Sequence, residues 1–251
     1  MPILFTQKSP VIGIWKITEP WHEMLESLQE NDLYLNHVHN RDIYSIKSDK
    51  RKQEWLAVRL LLKHMAGIEA YIEYNKDGAP VLRNNPYNIS ISHTTGFAAV
   101  ILSKNDNPGI DIEYHSVRAW KLREKFLSEK ELEMFNLLND SLCRNKQTDY
   151  SIKANYRKQT GNNLKINGDK KAVGDKFSMQ AKLATVCWCA KETVFKAMLQ
   201  TEVDFINHLH IMPFSLSEKD VISLKETKTS KQQVFNINFQ ITEDFIITWK
   251  E

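Results

Sequence analysis

NISISHTTGFAAVILSKNDNPGIDIEY, residues Asn88–Tyr114, reads as three strands in succession. Asn88–His93 and Phe97–Ser103 flank Thr94-Thr95-Gly96, and Gly109–Tyr114 follows a polar turn at Lys104–Pro108. Turns this short join neighbours that run in opposite directions, so mostly antiparallel connections are expected. Upstream, Tyr71–Tyr74 and Pro80–Arg83 around Asn75-Lys76-Asp77-Gly78 read as a hairpin, and Val11–Ile17 as a further strand. Between these, the spacing predicts a short helix over Trp21–Leu28 and a stronger one over Asp49–Ala66. Ser48 is the candidate N-cap of the second helix and Gly67 its stop. Trp55, Val58, Leu61, Leu62 and Met65 form its apolar stripe. Downstream, Ala119–Phe126, Ser128–Leu138 and Leu183–Leu199 read as helices, the middle one with a capping pair Ser128 and Glu131. Leu209–Met212, Val221–Lys225, Val234–Ile241 and Phe245–Trp249 read as strands. Helices and strands mix along the whole chain, which argues an α+β fold rather than a doubly wound sheet. Asn139–Gln180 is polar, rich in Lys and Asn and weakly periodic, and reads as an insertion or long loop with room for some local structure.

Composition narrows the function classes. A chain of 251 residues fits one large domain or two modest ones. Apolar residues at 42% and charged residues at 26% are ordinary globular usage. No apolar run reaches the roughly 18 residues of a membrane-spanning helix, and the first residues lack the pattern of a secretory signal. Cys143, Cys187 and Cys189 are too few and odd in number for a disulfide framework, so a reducing cytoplasm is expected. They also exclude a four-cysteine zinc site. A net charge of +3 is too mild to argue for nucleic-acid binding. No Gly-rich phosphate loop of the Walker or dinucleotide type is present.

Three tracts carry chemistry. In Gly109-Ile110-Asp111-Ile112-Glu113, strand alternation sends Ile110 and Ile112 to a core and Asp111 and Glu113 together to the other side. Two carboxylates about 6.6 Å apart repel by about 2.5 kcal/mol at an effective dielectric near 20. A hard divalent cation such as Mg²⁺ is one compensation; a solvated acidic face is the plainer alternative. In Trp188-Cys189-Ala190-Lys191-Glu192-Thr193-Val194-Phe195-Lys196, helical spacing sets Glu192 and Lys196 side by side, with Trp188 one turn earlier. That pairing suits a base and a phosphate clamp; a surface ion pair is the plainer alternative. Cys187 and Cys189 fall on different helix faces and read as buried small residues. In Ser90-Ile91-Ser92-His93-Thr94-Thr95-Gly96, His93 ends a strand just before a turn, where an imidazole can face an anion.

Together these tracts resemble the 4′-phosphopantetheinyl transferases of the larger, pseudo-twofold type. The family's (I/V)-G-(I/V)-D tract with a second acid two residues on is similar to Pro108–Glu113. Its (F/W)-(S/C/T)-x-K-E-(A/S/T)-x-x-K tract is similar to Trp188–Lys196. Ser90–His93 resembles the family's Ser-His tract. Phe126-Leu127-Ser128-Glu129-Lys130-Glu131 resembles its F-(F/L)-S-x-x-E segment, and Trp55–Arg59 its helix with a phosphate-binding arginine. The resemblance runs from about Lys50 to Met198. It departs in two places: Asn139–Gln180 lengthens the gap between the acidic tracts, and Ala79 stands where a lysine is frequent, with Lys76 as its possible replacement.

The resemblance implies two similar α+β halves, 1–107 and 108–251, related by a pseudo-dyad with a ligand cleft between them. It implies transfer of phosphopantetheine from coenzyme A to a serine of an apo acyl or peptidyl carrier protein, releasing 3′,5′-ADP and requiring Mg²⁺. By the same resemblance Asp111, Glu113 and Glu131 hold the metal, and Glu192 and Lys196 are catalytic. Arg59, Ser92, His93, Asp111, Lys191 and Lys196 contact the coenzyme, helped by one of Lys47, Lys50 or Arg51. A monomer without nucleic-acid or membrane partners is expected. A basic strip of Arg118, Lys121 and Lys125 beside Trp120 is a candidate dock for an acidic carrier. Two alternatives stand beside this reading: a non-catalytic relative that binds coenzyme A or a carrier, and a Mg²⁺-dependent phosphodiesterase.

Overall fold

The computed structural model describes residues 3–8, 11–29, 40–67, 71–83, 85–138 and 168–251. It is an α+β structure with antiparallel sheets. Strands β1 (Ile3–Lys8), β2 (Val11–Lys16), β5 (Asn88–Thr94) and β6 (Phe97–Ser103) form a four-stranded sheet in the order β1-β2-β6-β5. Between β2 and β5 the chain makes helices α1 (Trp21–Gln29), α2 (Asn40–Ser45) and α3 (Asp49–Ala66), then a hairpin of β3 (Tyr71–Tyr74) and β4 (Pro80–Arg83). The second sheet has the order β7-β11-β10-β9-β8. Its strands are β7 (Gly109–Tyr114), β8 (Leu209–Ile211), β9 (Lys219–Glu226), β10 (Val234–Ile241) and β11 (Phe245–Lys250). Between β7 and β8 the described residues include helices α4 (Arg118–Leu122), α5 (129–138) and α6 (Gly168–Met198).

Strand β6 explains how the layers stack. All seven of its residues are buried, because each of its faces meets a different core. Ala98, Val100 and Leu102 join Leu56, Leu60 and Leu61 of α3 and Met24 of α1. Phe97, Ala99 and Ile101 point the opposite way and meet Ile110 and Ile112 of β7 and Ile247 and Trp249 of β11. A period of two thus divides one apolar run between a helix-facing core and a sheet-facing core. A third core lies on the far face of the second sheet, where Val186, Ala190 and Val194 of α6 pack on Ile222, Ile237 and Phe239.

The helix signals hold at α3. Ser48 accepts the Arg51 N–H at 3.4 Å, and the Gly67 N–H closes on Lys63. Burial is broader than a stripe: Leu56–Leu62 is buried without a break, since α1 covers one side and the first sheet the other. The basic helix expected over Ala119–Phe126 is α-helical only to Leu122 and tightens to a 3₁₀ turn at Arg123–Lys125. The expected loop Asn139–Gln180 is corrected in part. Residues 168–180 continue the α6 helix, whose Asp, Lys, Ala, Gln and Met residues are unbroken by proline. The remainder of the expected insertion, 139–167, and Cys143 lie outside the described residues. Strand β1 and helix α2 went unread in the sequence. Among the described residues, no helix is long and apolar enough to cross a membrane.

Candidate functional site

Strand β7 is an edge of the second sheet, and its neighbour across the gap is β5, an edge of the first. Backbone pairing does not join them. Instead, hydroxyls at alternate positions of β5 accept β7 amides: Ser90 from Ile110 at 3.2 Å, Ser92 from Ile112 at 3.3 Å and Thr94 from Tyr114 at 3.4 Å. Two of the three hydroxyls also donate onward. Ser92 Oγ lies 2.8 Å from Asp111 Oδ1, and Thr94 Oγ1 lies 2.9 Å from Glu113 Oε2. Both acids therefore stand in a hydroxyl-lined seam, and Asp111 is only 5% exposed.

Helix α6 crosses the same place. Gly109 lies so close that a Cβ there would collide with the Thr193 carbonyl oxygen, and the Thr193 hydroxyl is 2.6 Å from that of Thr248 on β11. This contact fixes the helix's rotation. Positions 188, 192 and 196, one turn apart, then look onto β7. Lys196 Nζ bonds Asp111 Oδ1 at 2.8 Å and the Ile110 carbonyl at 2.9 Å, and the Trp188 indole donates to Glu113. Asp111 Oδ2 is buried and has no hydrogen-bond partner among the described residues.

Asp111, Glu113, Glu192 and Lys196 line a cavity of about 940 Å³. Its opposite wall comes from α3, β5 and the β3–β4 hairpin, and includes Arg51, Arg59 and His93. Charge crowding shows in the titration of the acids. Burial first, then the repulsion of Asp111, raises Glu113 above the ordinary carboxylate range. Burial and the repulsion of Asp111 push Glu192 up to about 7, against the pull of Lys196. Burial holds His93 below the usual imidazole range, with Arg51, Lys196 and Lys50 acting in the same direction and Glu54 opposing.

The basic wall is organised by a buried acid that the sequence reading passed over. Glu54 Oε2 is 3.2 Å from Arg51 Nη1 and 3.3 Å from His93 Nδ1, and Arg51 Nη1 also touches His93 Nε2. Of Lys47, Lys50 and Arg51, only Arg51 lines the cavity. The Arg59 guanidinium lies 3.2 Å from the centre of the Trp55 ring and donates to the Trp55 carbonyl at 3.1 Å. Lys76 is not among the cavity-lining residues, although Asn75 and Asp77 on either side of it are.

Two expected site residues stand elsewhere. Glu131 is the third residue of a capping box: its Oε2 accepts from the Ser128 amide at 2.8 Å and the Ser128 hydroxyl at 3.0 Å. The same oxygen accepts from Lys191 Nζ at 2.8 Å, and Oε1 takes the Ile211 amide at 2.7 Å. Both of its oxygens are occupied by protein donors, and it does not line the cavity. Lys191 is fully buried, with its three donors spent on Glu131 and the carbonyls of Phe126 and Phe205, each at 2.8 Å. One helical step of about 100° separates it from Glu192 and turns it into the core. The expected metal set of Asp111, Glu113 and Glu131 is thus not assembled, and the third carboxylate beside the first two is Glu192. Among the described residues no three His, Cys, Asp or Glu side chains stand in an arrangement that could hold a metal ion as they are. The donor chemistry nonetheless suits a hard cation. The acids are oxygen ligands, they repel one another, and one buried oxygen lacks a partner.

Trp120 is half-buried: it stacks on Phe135 with ring centres 5.5 Å apart, and the Arg123 guanidinium lies 3.9 Å over its ring. Arg118, Lys121 and Lys125 are exposed. Cys187 and Cys189 are buried, and burial pushes both thiols up, Cys187 to about 12. Thr94 and Ser90 were missed, although the hydroxyls at 90, 92 and 94 carry a strand's period of two.

No family model matches the chain, and no curated protein matches it closely enough to count as a relative.

Proposed function

We propose that this protein is a 4′-phosphopantetheinyl transferase that moves the phosphopantetheine of coenzyme A onto a serine of an apo carrier protein. The observation that carries the reading is the meeting of residues from distant tracts on one cavity. Asp111, Glu113, Glu192 and Lys196 face Arg51, Arg59 and His93 across a space of about 940 Å³. Two sheets, each backed by one long helix, support the two-halved architecture that the motifs imply, with the cavity as its cleft.

Asp111 and Glu113, with Glu192 beside them, are the residues that would hold Mg²⁺. When bound, the ion neutralises charge on the pyrophosphate oxygens. Arg59, Arg51 and His93 bind the coenzyme's phosphates from the other wall. The serine hydroxyl attacks the phosphorus that bears pantetheine, the bond from that phosphorus to the bridging oxygen breaks, and 3′,5′-ADP leaves. Glu192 accepts the serine proton, directly or through one water, and a pKa of about 7 suits that task. Lys196, already 2.8 Å from Asp111, stabilises charge on the phosphoryl oxygens. Lys191 and Glu131 act at a distance, by tying α6 to the Phe126 and Phe205 backbones and to β8. Arg118, Lys121 and Lys125, with the half-buried Trp120 beside them, offer the basic surface for an acidic carrier.

The test is incubation with coenzyme A, Mg²⁺ and a panel of apo acyl and peptidyl carriers, followed by intact-mass analysis. A phosphopantetheine adduct on the carrier serine is expected. Intact coenzyme A and unmodified carriers throughout would refute the assignment.

A further inference from the structure

We propose that Thr94 and Ser92 are positioning residues that present Glu113 and Asp111 to a divalent cation. This rests on the same reading of the cavity, and it assigns to the β5 hydroxyls a task other than contact with the coenzyme. Each hydroxyl is pinned by a β7 amide, Ile112 on Ser92 and Tyr114 on Thr94. The amide donates to the hydroxyl oxygen, and the hydroxyl donates its own proton to the carboxylate, at 2.8 Å for Ser92 and 2.9 Å for Thr94. Ser92 and Lys196 both occupy Asp111 Oδ1, and this leaves the other oxygen, buried and unpartnered, as the one to ligate. Thr94 holds Glu113 through Oε2, and the Trp188 indole is a second donor to the same carboxylate. Both are hydrogen bonds that reach the acids from a strand of the other sheet. They also fix the rotamers before any ion arrives, so that little ordering remains to be done on binding.

The arrangement has a further property. Strand β5 carries His93 on the side facing α3 and Ser92 and Thr94 on the side facing β7. One rigid strand therefore spaces the phosphate-binding wall from the acidic wall.

Thr94 gives the cleaner experiment, because its bond with the Tyr114 amide is part-buried whereas that of Ser92 with the Ile112 amide is buried. Mn²⁺ binding to the full chain without coenzyme A, measured by electron paramagnetic resonance, is compared for wild type, Thr94→Val, Thr94→Ser and Asp111→Asn. Melting temperatures are recorded without metal. Thr94→Val keeps the shape and removes the hydroxyl; it should weaken Mn²⁺ binding roughly tenfold with little change in melting temperature. Thr94→Ser restores the hydroxyl and should bind within about twofold of wild type. If Thr94→Val binds as wild type does while Asp111→Asn does not, the hydroxyls only stitch the sheets together and the proposal fails alone. If wild type and Asp111→Asn are equally unable to bind Mn²⁺, the cation site falls and the positioning role falls with it.

Discussion

Glu192 takes its chemistry from its neighbours. Burial and the charge of Asp111 raise its pKa to about 7, from the 4.5 expected of a free glutamate. The folded protein therefore holds this proton more tightly than the unfolded chain does. Between about pH 4.5 and pH 7 that preference is progressively lost, and stability falls as pH rises. Glu192→Gln keeps the shape and carries no charge. Its melting temperature relative to wild type should climb from pH 5 to pH 8 in cation-free buffer. His93, whose lowered pKa acts in the opposite sense over an overlapping range below pH 6.5, is common to both proteins and cancels in the difference. A flat difference would mean that neither burial nor the neighbouring acids raise the Glu192 pKa in the fold. In the transfer assay the same variant should lose about 10²- to 10⁴-fold in turnover. Full activity would remove Glu192 from the role of base. Asp111→Ala should abolish transfer as well, and should leave Lys196 with only the Ile110 carbonyl as acceptor.

The meeting of β7 and α6 depends on one missing side chain. Gly109 faces the Thr193 backbone carbonyl, which cannot swing aside as a flexible side chain would. Gly109→Ala should force strand and helix apart at a cost of about 1–3 kcal/mol, read as a lower denaturation midpoint, and should separate Lys196 from Asp111. An unchanged midpoint would show that the contact is loose. At this scale the sequence was informative where periodicity or a cap spoke locally. Ser48 and Gly67 bound α3, and Glu131 completes the capping box at Ser128. It was less informative where one residue type serves two purposes. Glu131 and Lys191 look like site residues in a motif, yet a glutamate at the third helical position and a lysine one step from the cavity face are both consumed by the core. Thr94 was hidden for the converse reason. A threonine beside a turn signals only a strand end until the second sheet is brought against it. The 3₁₀ turn at Arg123–Lys125 likewise breaks a basic helix whose spacing had looked regular.

Across the whole molecule, the two sheets share an apolar interface: Ile12, Ile14 and Ile101 from one meet Ile110, Ile247 and Trp249 from the other. Each of these buried side chains contributes about 1.5–3 kcal/mol, none of it available to either sheet alone. Denaturation followed by far-ultraviolet circular dichroism and by tryptophan fluorescence should therefore give coincident transitions. Two separated transitions would show that the sheets fold independently. The order of strands in the second sheet also bears on synthesis. Strand β7, which carries Asp111 and Glu113, takes its backbone partner from β11, with Asp111 opposite Thr248 and Glu113 opposite Ile246. A ribosome makes the acids long before it makes their backbone partner, and in the interval the contacts open to them are with side chains, the β5 hydroxyls first and then Trp188 and Lys196 of α6. A nascent chain that already contains every residue of the cavity thus still lacks Phe245–Lys250, the strand that lies between β7 and β10.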